Sequence, residues 1–97
     1  MEKFYTRKID EQGRLVIPIE IRKNEQWDAA KTLAFTRIKD LGIIHLSGQA
    51  FEPAQIDLKT DELGRTLFPL DIRRELGWGL RAEVSFFCVG DFVFLKK

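Results

Sequence analysis

The residues best suited to chemistry are arginines that recur at matched spacing in two parts of the chain. Arg14 and Arg22 lie within D-E-Q-G-R-L-V-I-P-I-E-I-R, and Arg65 and Arg73 lie within D-E-L-G-R-T-L-F-P-L-D-I-R. A guanidinium group presents five N–H donors in a planar fork that can clamp a phosphate or pair with the edge of guanine. Two matched sets of such groups are compatible with contact to double-stranded DNA.

The two arginine segments belong to an internal repeat. Residues 7–27 align without gaps with residues 58–78 after a shift of 51 positions. The identical pairs that carry the repeat are Asp10 and Asp61, Glu11 and Glu62, Gly13 and Gly64, Arg14 and Arg65, Pro18 and Pro69, Ile21 and Ile72, Arg22 and Arg73, and Trp27 and Trp78. The stretch 47–54, S-G-Q-A-F-E-P-A, is typical of a linker. We therefore expect a first copy at 1–46, a linker at 47–54 and a second copy at 55–97.

Each copy predicts the same order of elements: a strand, a tight turn, a short return strand, a short helix and two further strands. Asp followed by Gly three residues later is typical of a turn, and a proline suits the entry to a helix. Gly77 is a natural stop for the second helix, and Gly90-Asp91 predicts the last turn. The strands are predicted at 4–9, 14–17, 32–38 and 43–46, and at 55–60, 65–68, 83–89 and 92–95.

A unit of about 45 residues buries too little apolar surface to be stable alone, so the two copies should share one core. We expect a mainly β barrel or sandwich with an approximate two-fold axis and one short helix per copy. Trp27 and Trp78 are predicted to pack in that core. The segment V-S-F-F-C-V-G-D-F-V-F-L is apolar on both faces, so it is buried on both or meets a second copy of the chain.

Composition and missing motifs exclude several classes of function. The chain has 16 Lys and Arg against 15 Asp and Glu, so net charge does not identify a partner. One cysteine, Cys88, and one histidine, His45, argue against a disulfide or a four-ligand zinc site. Without a phosphate loop, a nucleophile motif, a long apolar run or a signal peptide, we expect a cytoplasmic protein without enzyme activity, metal, cofactor or membrane partner.

The second copy, D-E-L-G-R-T-L-F-P-L-D-I-R-R-E-L-G, resembles the AbrB/SpoVT transition-state regulators, a family of swapped-hairpin DNA-binding domains. The first copy, I-D-E-Q-G-R-L-V-I-P-I-E-I-R, is nearly as close. The resemblance implies a double-psi-like β-barrel built from two pseudo-symmetric copies. Because both copies lie in one chain, it implies the tandem arrangement of MraZ-like relatives. It also implies a prokaryotic, DNA-binding transcription regulator.

Carried over by position, the resemblance implies a set of DNA-contacting residues. In the first copy they are Arg7, Arg14, Arg22 and Lys23, and in the second copy they are Arg65, Arg73 and Arg74. Lys8 and Lys59 are further candidates, although a solvated surface role is equally compatible with them. Leu58 stands in the place of Arg7, so the second copy lacks one cation, and the first copy should contribute more to affinity. The N-E-Q-W segment departs from the family pattern and leaves the end of the first helix open.

Three other interpretations remain open from the residues. Arg14 and Arg65 could be solvated strand residues paired with the neighbouring acids Asp10, Glu11, Asp61 and Glu62. The chain could be the antitoxin of a toxin–antitoxin pair, although it ends at Lys97 without a segment to wrap a toxin. It could also be an assembly module that forms homo-oligomers through the Phe-rich strands and binds no DNA.

Overall fold

The computed structural model describes residues 4–27, 32–46, 55–90 and 92–97. The first half contains strands β1 (Phe4–Lys8) and β2 (Arg14–Val16), helix α1 (Ile19–Asn24), and strands β3 (Thr32–Ile38) and β4 (Leu41–Leu46). The second half contains strands β5 (Gln55–Lys59) and β6 (Arg65–Leu67), helix α2 (Leu70–Leu76), and strands β7 (Glu83–Val89) and β8 (Phe92–Lys96). The predicted linker 47–54 and Asp91 of the predicted turn lie outside the described residues. The mainly β fold with one short helix in each half is confirmed.

Strand boundaries match the sequence-based expectation closely. β3 and β7 have the predicted bounds, whereas β4 begins at Leu41 and β8 continues to Lys96. β1 ends one residue earlier than predicted, at Lys8, although the backbone N–H of Ile9 still donates to the carbonyl of Ala82, just before β7. β2 and β6 are also one residue shorter than predicted. Pro18 and Pro69 lie two residues after the ends of these strands, and a proline has no N–H to donate to a further pair of the ladder.

The strands of the two halves interleave in an antiparallel arrangement. A six-stranded sheet has the order β1-β7-β8-β4-β3-β5, and a separate two-stranded ribbon is formed by β2 and β6. The first strand of each half pairs with the third strand of the other half: β1 pairs with β7, and β5 pairs with β3. Because each half completes the sheet of the other, the hydrophobic core is shared between them.

An aromatic cluster at the centre of the core shows this sharing directly. The rings of Phe35, Phe68 and Trp78 meet edge to face, with centroids 5.2 to 6.2 Å apart. Phe35 comes from the first half and the other two rings from the second. Gly42 makes room for them, because a Cβ there would lie 2.6 Å from the ring of Phe35. Trp27 is buried as well, so the predicted core positions of both tryptophans are confirmed.

The Phe-rich strands β7 and β8 have one face in the core. Phe86 is fully buried, whereas Phe94 on the outer face is half-buried. Cys88 is half-buried and packs against the core, and burial, followed by the nearby carboxylate of Glu25, raises the pKa of its thiol. Self-association through these strands stays a prediction. The side chain of His45 lies outside the described residues.

The two helices begin alike and end differently. Each is preceded by a proline in an extended conformation, with φ and ψ of −52° and 139° at Pro18 and of −56° and 146° at Pro69. Both helices end with a tryptophan N–H that donates to an arginine carbonyl five residues earlier, at 2.8 Å for Trp27 and 2.7 Å for Trp78. Neither helix in the described part of the chain is long and apolar enough to span a bilayer.

The end of α1, which the sequence left open, contains a non-glycine residue in the left-handed region. Gly77 terminates α2 with φ of 73°, and its equivalent in the first half, Gln26, has φ of 59°. A side chain in this region brings Cβ close to the following carbonyl oxygen, which glycine avoids. α1 is also one residue shorter than α2.

We predict that Gln26→Gly increases the free energy of unfolding by about 1 kcal/mol, since it removes the left-handed strain at the end of α1. Gly77→Gln should lower it by a similar amount. Urea unfolding of both variants checks this pair. A loss of stability in Gln26→Gly would contradict the assignment of strain to this residue.

Candidate nucleic-acid interface

The return strands of the two halves pair with each other and form the ribbon. In the register of β2 with β6, Arg14 lies opposite Leu67 and Val16 lies opposite Arg65. Opposite residues of an antiparallel pair point to the same face, and so do residues two apart on one strand. Arg14, Val16, Arg65 and Leu67 therefore share one outward side, which we call the ribbon face. The residues between them, Leu15 and Thr66, are fully buried beneath it.

The two arginines of the ribbon face occupy diagonal corners. An approximate two-fold axis passes through the pair formed by Leu15 and Thr66, and it exchanges Arg14 with Arg65. Diagonal neighbours across an antiparallel pair have Cα atoms about 7–8 Å apart. The expectation that both arginines lie on the same side of the fold is met by this geometry.

Each ribbon arginine is held by the aspartate of its own turn. Asp10 Oδ1 accepts hydrogen bonds of 2.9 Å from the backbone N–H groups of Gln12 and Arg14, and its Oδ2 accepts one of 2.8 Å from Arg14 Nε. Asp61 binds Arg65 in the same way, with a distance of 2.6 Å from Nε to Oδ2. The bond uses the Nε donor and leaves the four N–H donors of the terminal Nη groups outside it.

These hydrogen bonds also act on the acidity of the carboxyl groups. The backbone N–H of Arg14 is the main cause that lowers the pKa of Asp10 below its usual value of 3.8, with smaller contributions from the guanidinium group and from the Gln12 N–H. The backbone N–H of Arg65 lowers the pKa of Asp61 likewise. Both carboxylates are therefore ionised at neutral pH and orient their arginines. Pairing of Arg14 and Arg65 with turn acids, one of the open interpretations, is thus observed.

Two further arginines, Arg22 on α1 and Arg73 on α2, pack against the turn of the opposite half. A Cβ on Gly64 would lie 2.5 Å from Cζ of Arg22, and one on Gly13 would lie 2.8 Å from Cζ of Arg73. Arg22 Nε donates to the carbonyl of Ile17 at 3.0 Å, which fixes the guanidinium in this position. We call this pair of interactions the Arg–Gly contacts.

Backbone hydrogen bonds run beside the Arg–Gly contacts. The N–H of Ile17 donates to the carbonyl of Gly64 at 2.9 Å, and that of Phe68 donates to the carbonyl of Gly13 at 3.2 Å. Both glycines also need their freedom of conformation, because φ is 81° at Gly13 and 80° at Gly64. The helices and the ribbon are therefore joined crosswise between the two halves.

The other predicted DNA-contacting residues fall into two groups. Lys23 and Arg74 are exposed and follow Arg22 and Arg73 on the helices, so they belong to the same end of the fold as the ribbon. The remaining three lie on β1 and β5. They are Lys8, which is exposed and opposite Glu83, Lys59, which is exposed and opposite Thr32, and Arg7, which is half-buried and opposite the fully buried Val84.

Acidic residues are interleaved with the cations of this region. Over residues 10–24 the charges of Lys and Arg balance those of Asp and Glu, and over residues 61–75 the acids exceed the bases by one. Glu11 also pairs with Arg81 at 3.0 Å, and Glu75 pairs with Arg37 at 3.0 Å. The region is therefore nearly neutral, and its positive charge is concentrated at individual guanidinium groups.

Sequence reasoning missed the exposed aliphatic residues of this region. Val16 is 37% exposed and Leu67 is 58% exposed on the ribbon face, and Ile19 and Leu70, at the starts of the helices, are both 50% exposed. The sequence did contain a signal for this exposure. A strand with one buried face places only alternate residues inside, so the middle residue of a buried–exposed–buried run such as L-V-I or T-L-F must face outward.

Among the described residues, no group of three or more His, Cys, Asp or Glu could hold a metal ion.

The Arg–Gly contacts generate a test on stability. Gly64→Ala should lower the free energy of unfolding by about 1–3 kcal/mol. The alanine backbone would have to keep a positive φ, and its Cβ would collide with the guanidinium group of Arg22. Gly77→Ala is the matched control, since Gly77 also has a positive φ of 73° but its Cβ would meet no atom within 4 Å. Adding Arg22→Ala to Gly64→Ala should recover part of the loss. Equal effects at Gly64 and Gly77 in urea unfolding would rule out the contact.

The turn aspartates predict an acid-sensitive contribution to stability. Because folding lowers their pKa, this contribution is complete above the usual pKa of an aspartate and is lost as the pH falls through the lowered value. The variant Asp10→Asn/Asp61→Asn should therefore show a shallower fall in melting temperature between about pH 5 and pH 2 than the parent chain. Parallel pH profiles for the two proteins would contradict this account.

Comparisons with known proteins show similarity in sequence and in structure. No protein-family model matches the chain. A segment of 39 residues is 44% identical to Abh of Bacillus subtilis (strain 168), which is named a transition state regulator. The segment covers 40% of this chain and 42% of Abh, so the match spans less than half of that relative.

The structural match concerns the fold alone. The solution structure of PHS018 from Pyrococcus horikoshii superposes with a TM-score of 0.54 at 15% sequence identity, covering 95% of this chain and 84% of that one. The described fold is therefore shared with a solved structure over nearly the whole chain. The similarity to Abh supports a relationship of this chain to the AbrB family.

Proposed function

We propose that the chain is a DNA-binding transcription regulator of the AbrB type, acting in the cytoplasm, in which the ribbon face meets double-stranded DNA. The observation that carries the proposal is the placement of Arg14 and Arg65 on one outward face, exchanged by an approximate two-fold axis. The similarity to Abh supports the same class of function. In this proposal the halves 1–46 and 55–97, connected by 47–54, act as the two parts of one tandem domain.

The ribbon has dimensions that suit the major groove. A two-stranded ribbon fits a groove about 12 Å wide, where guanine presents its N7 and O6 acceptors. Each arginine is held through Nε by an aspartate, so the terminal Nη groups are oriented before DNA binds, which lowers the entropy cost of the contact. A two-fold arrangement of donors corresponds to a pseudo-palindromic duplex site.

The remaining cations are proposed to contact phosphates. Lys23 and Arg74 are exposed on the helices beside the ribbon, and Lys8 and Lys59 are exposed just before the two turns. Phosphate contacts fix the register of a protein on the duplex without reading its sequence. Arg22 and Arg73 are assigned mainly to the Arg–Gly contacts, which hold each helix against the ribbon. Their predicted direct contact with DNA remains a prediction, as does that of Arg7.

The first test compares single substitutions in binding to a duplex recovered by random-oligonucleotide selection. Arg14→Ala and Arg65→Ala should each weaken binding by about tenfold or more, as for the loss of a bidentate arginine contact. Lys96→Ala is the control, because Lys96 is an exposed cation on β8 rather than on the ribbon. If fluorescence anisotropy shows no duplex binding at low ionic strength, or the same affinity for all variants, the proposal fails.

A second test separates base contacts from phosphate contacts. If the four exposed cations each neutralise one phosphate, the logarithm of affinity should fall against log salt with a slope of about −4. Lys59→Ala should reduce the magnitude of the slope by about one, whereas Arg14→Ala should cost more affinity than Lys59→Ala. Equal losses for these two variants would contradict the assigned roles.

A further inference from the structure

We propose that Val16 and Leu67 read the C5-methyl groups of thymine near the centre of the bound duplex. This inference rests on the proposed function and adds a specificity-determining pair to it. Both side chains are aliphatic and lie on the outward ribbon face, at 37% and 58% exposure. Their inner neighbours, Leu15 and Thr66, are fully buried, so a shift of register that turned the two side chains inward would expose those neighbours.

The position of these side chains beside arginines indicates what they meet. Val16 lies directly opposite Arg65, and Leu67 lies directly opposite Arg14. If the partner were a purely apolar protein surface, binding would bury the two guanidinium groups without hydrogen-bond acceptors, which costs free energy. The major-groove edge of DNA offers both kinds of partner within neighbouring base pairs, namely N7 and O6 acceptors on guanine and the methyl group on thymine.

A second exposed aliphatic pair lacks this pattern and serves as a comparison. Ile38 and Val89 are 41% and 51% exposed at the ends of β3 and β7. Their cross-strand partners are Leu41 and Phe92, which are apolar. The alternation of an aliphatic residue with a directly opposed arginine is therefore a property of the ribbon face and not of every exposed aliphatic residue.

Charge in this region also favours a contribution from base edges. The segments around the two turns are nearly neutral, so long-range attraction to phosphates is weak. Contacts at the base edges must then supply a larger share of the affinity. Apolar contact with a methyl group is short-ranged and independent of salt, and it needs the close approach that an outward Val or Leu on a ribbon provides.

The geometry places the two thymines. Val16 and Leu67 are exchanged by the same two-fold axis as the arginines, and their Cα atoms are expected about 7–8 Å apart. This distance corresponds to about two base-pair steps of 3.4 Å. We infer one thymine on each strand, symmetrically placed about the centre of the site, with the arginine contacts on adjacent base pairs.

The experiment removes only the methyl groups. Two duplexes with the sequence recovered by random-oligonucleotide selection are compared, one with thymine and the other with uracil at every thymine position. The parent chain should bind the thymine duplex about tenfold more tightly, since each buried methyl group contributes roughly fourfold. The variant Val16→Ala/Leu67→Ala should bind both duplexes with nearly equal affinity, whereas Ile38→Ala/Val89→Ala should keep the preference of the parent.

The outcomes distinguish this inference from the proposed function. Equal affinity of the parent chain for the two duplexes would overturn the methyl contact while leaving DNA binding intact. An unchanged preference in Val16→Ala/Leu67→Ala would overturn the assignment to these residues. Absence of binding to either duplex at low ionic strength would defeat the proposed function, and this inference with it. Thermal unfolding of both double variants confirms that each is folded when it is assayed.

Discussion

The pairing of β2 with β6 is the interaction on which the rest of the structure depends. Each strand has only three residues, and each comes from a different half of the chain. The pair is extended by backbone hydrogen bonds from Ile17 to Gly64 and from Phe68 to Gly13. The Arg–Gly contacts then tie each helix to the opposite turn. A short ribbon is stable here because side chains and backbone of both halves hold it at its ends.

The same crosswise arrangement accounts for the core and for the site. The aromatic rings of Phe35, Phe68 and Trp78 join the halves inside the molecule, and the ribbon joins them at the surface. A symmetric pairing necessarily places equivalent residues of the two halves on one face. Duplex DNA has local two-fold symmetry of its own, so a ribbon of this kind presents matched donors to both strands.

Much of this architecture could be predicted from the sequence. The repeat located the turns, the short return strands and the helices, because Asp, Gly and Pro have strong local preferences and recur at fixed offsets. The buried tryptophans were predicted from their equivalent positions. The mainly β fold followed from the number and spacing of apolar strands. These are local properties, or properties of a pattern repeated within the chain.

Three features could not be predicted, because each depends on contacts between distant residues. Arg22 and Arg73 have the residue type of a DNA contact, yet the structure shows them packed on the glycines of the opposite turns. Gln26 adopts a left-handed conformation that local sequence disfavours, since the following Trp27 is drawn into the core. The cross-strand pairing of Val16 with Arg65 and of Leu67 with Arg14 depends on the register of the ribbon, which no single strand specifies.

The most direct test of the central claim is an NMR titration that follows the side-chain Nε–Hε signals of Arg14 and Arg65 as duplex DNA is added. The account predicts that both signals shift together, along with the backbone amides of β2 and β6, while the amides of β4 and β8 change little. Shifts confined to the six-stranded sheet, or to one of the two arginines alone, would contradict it.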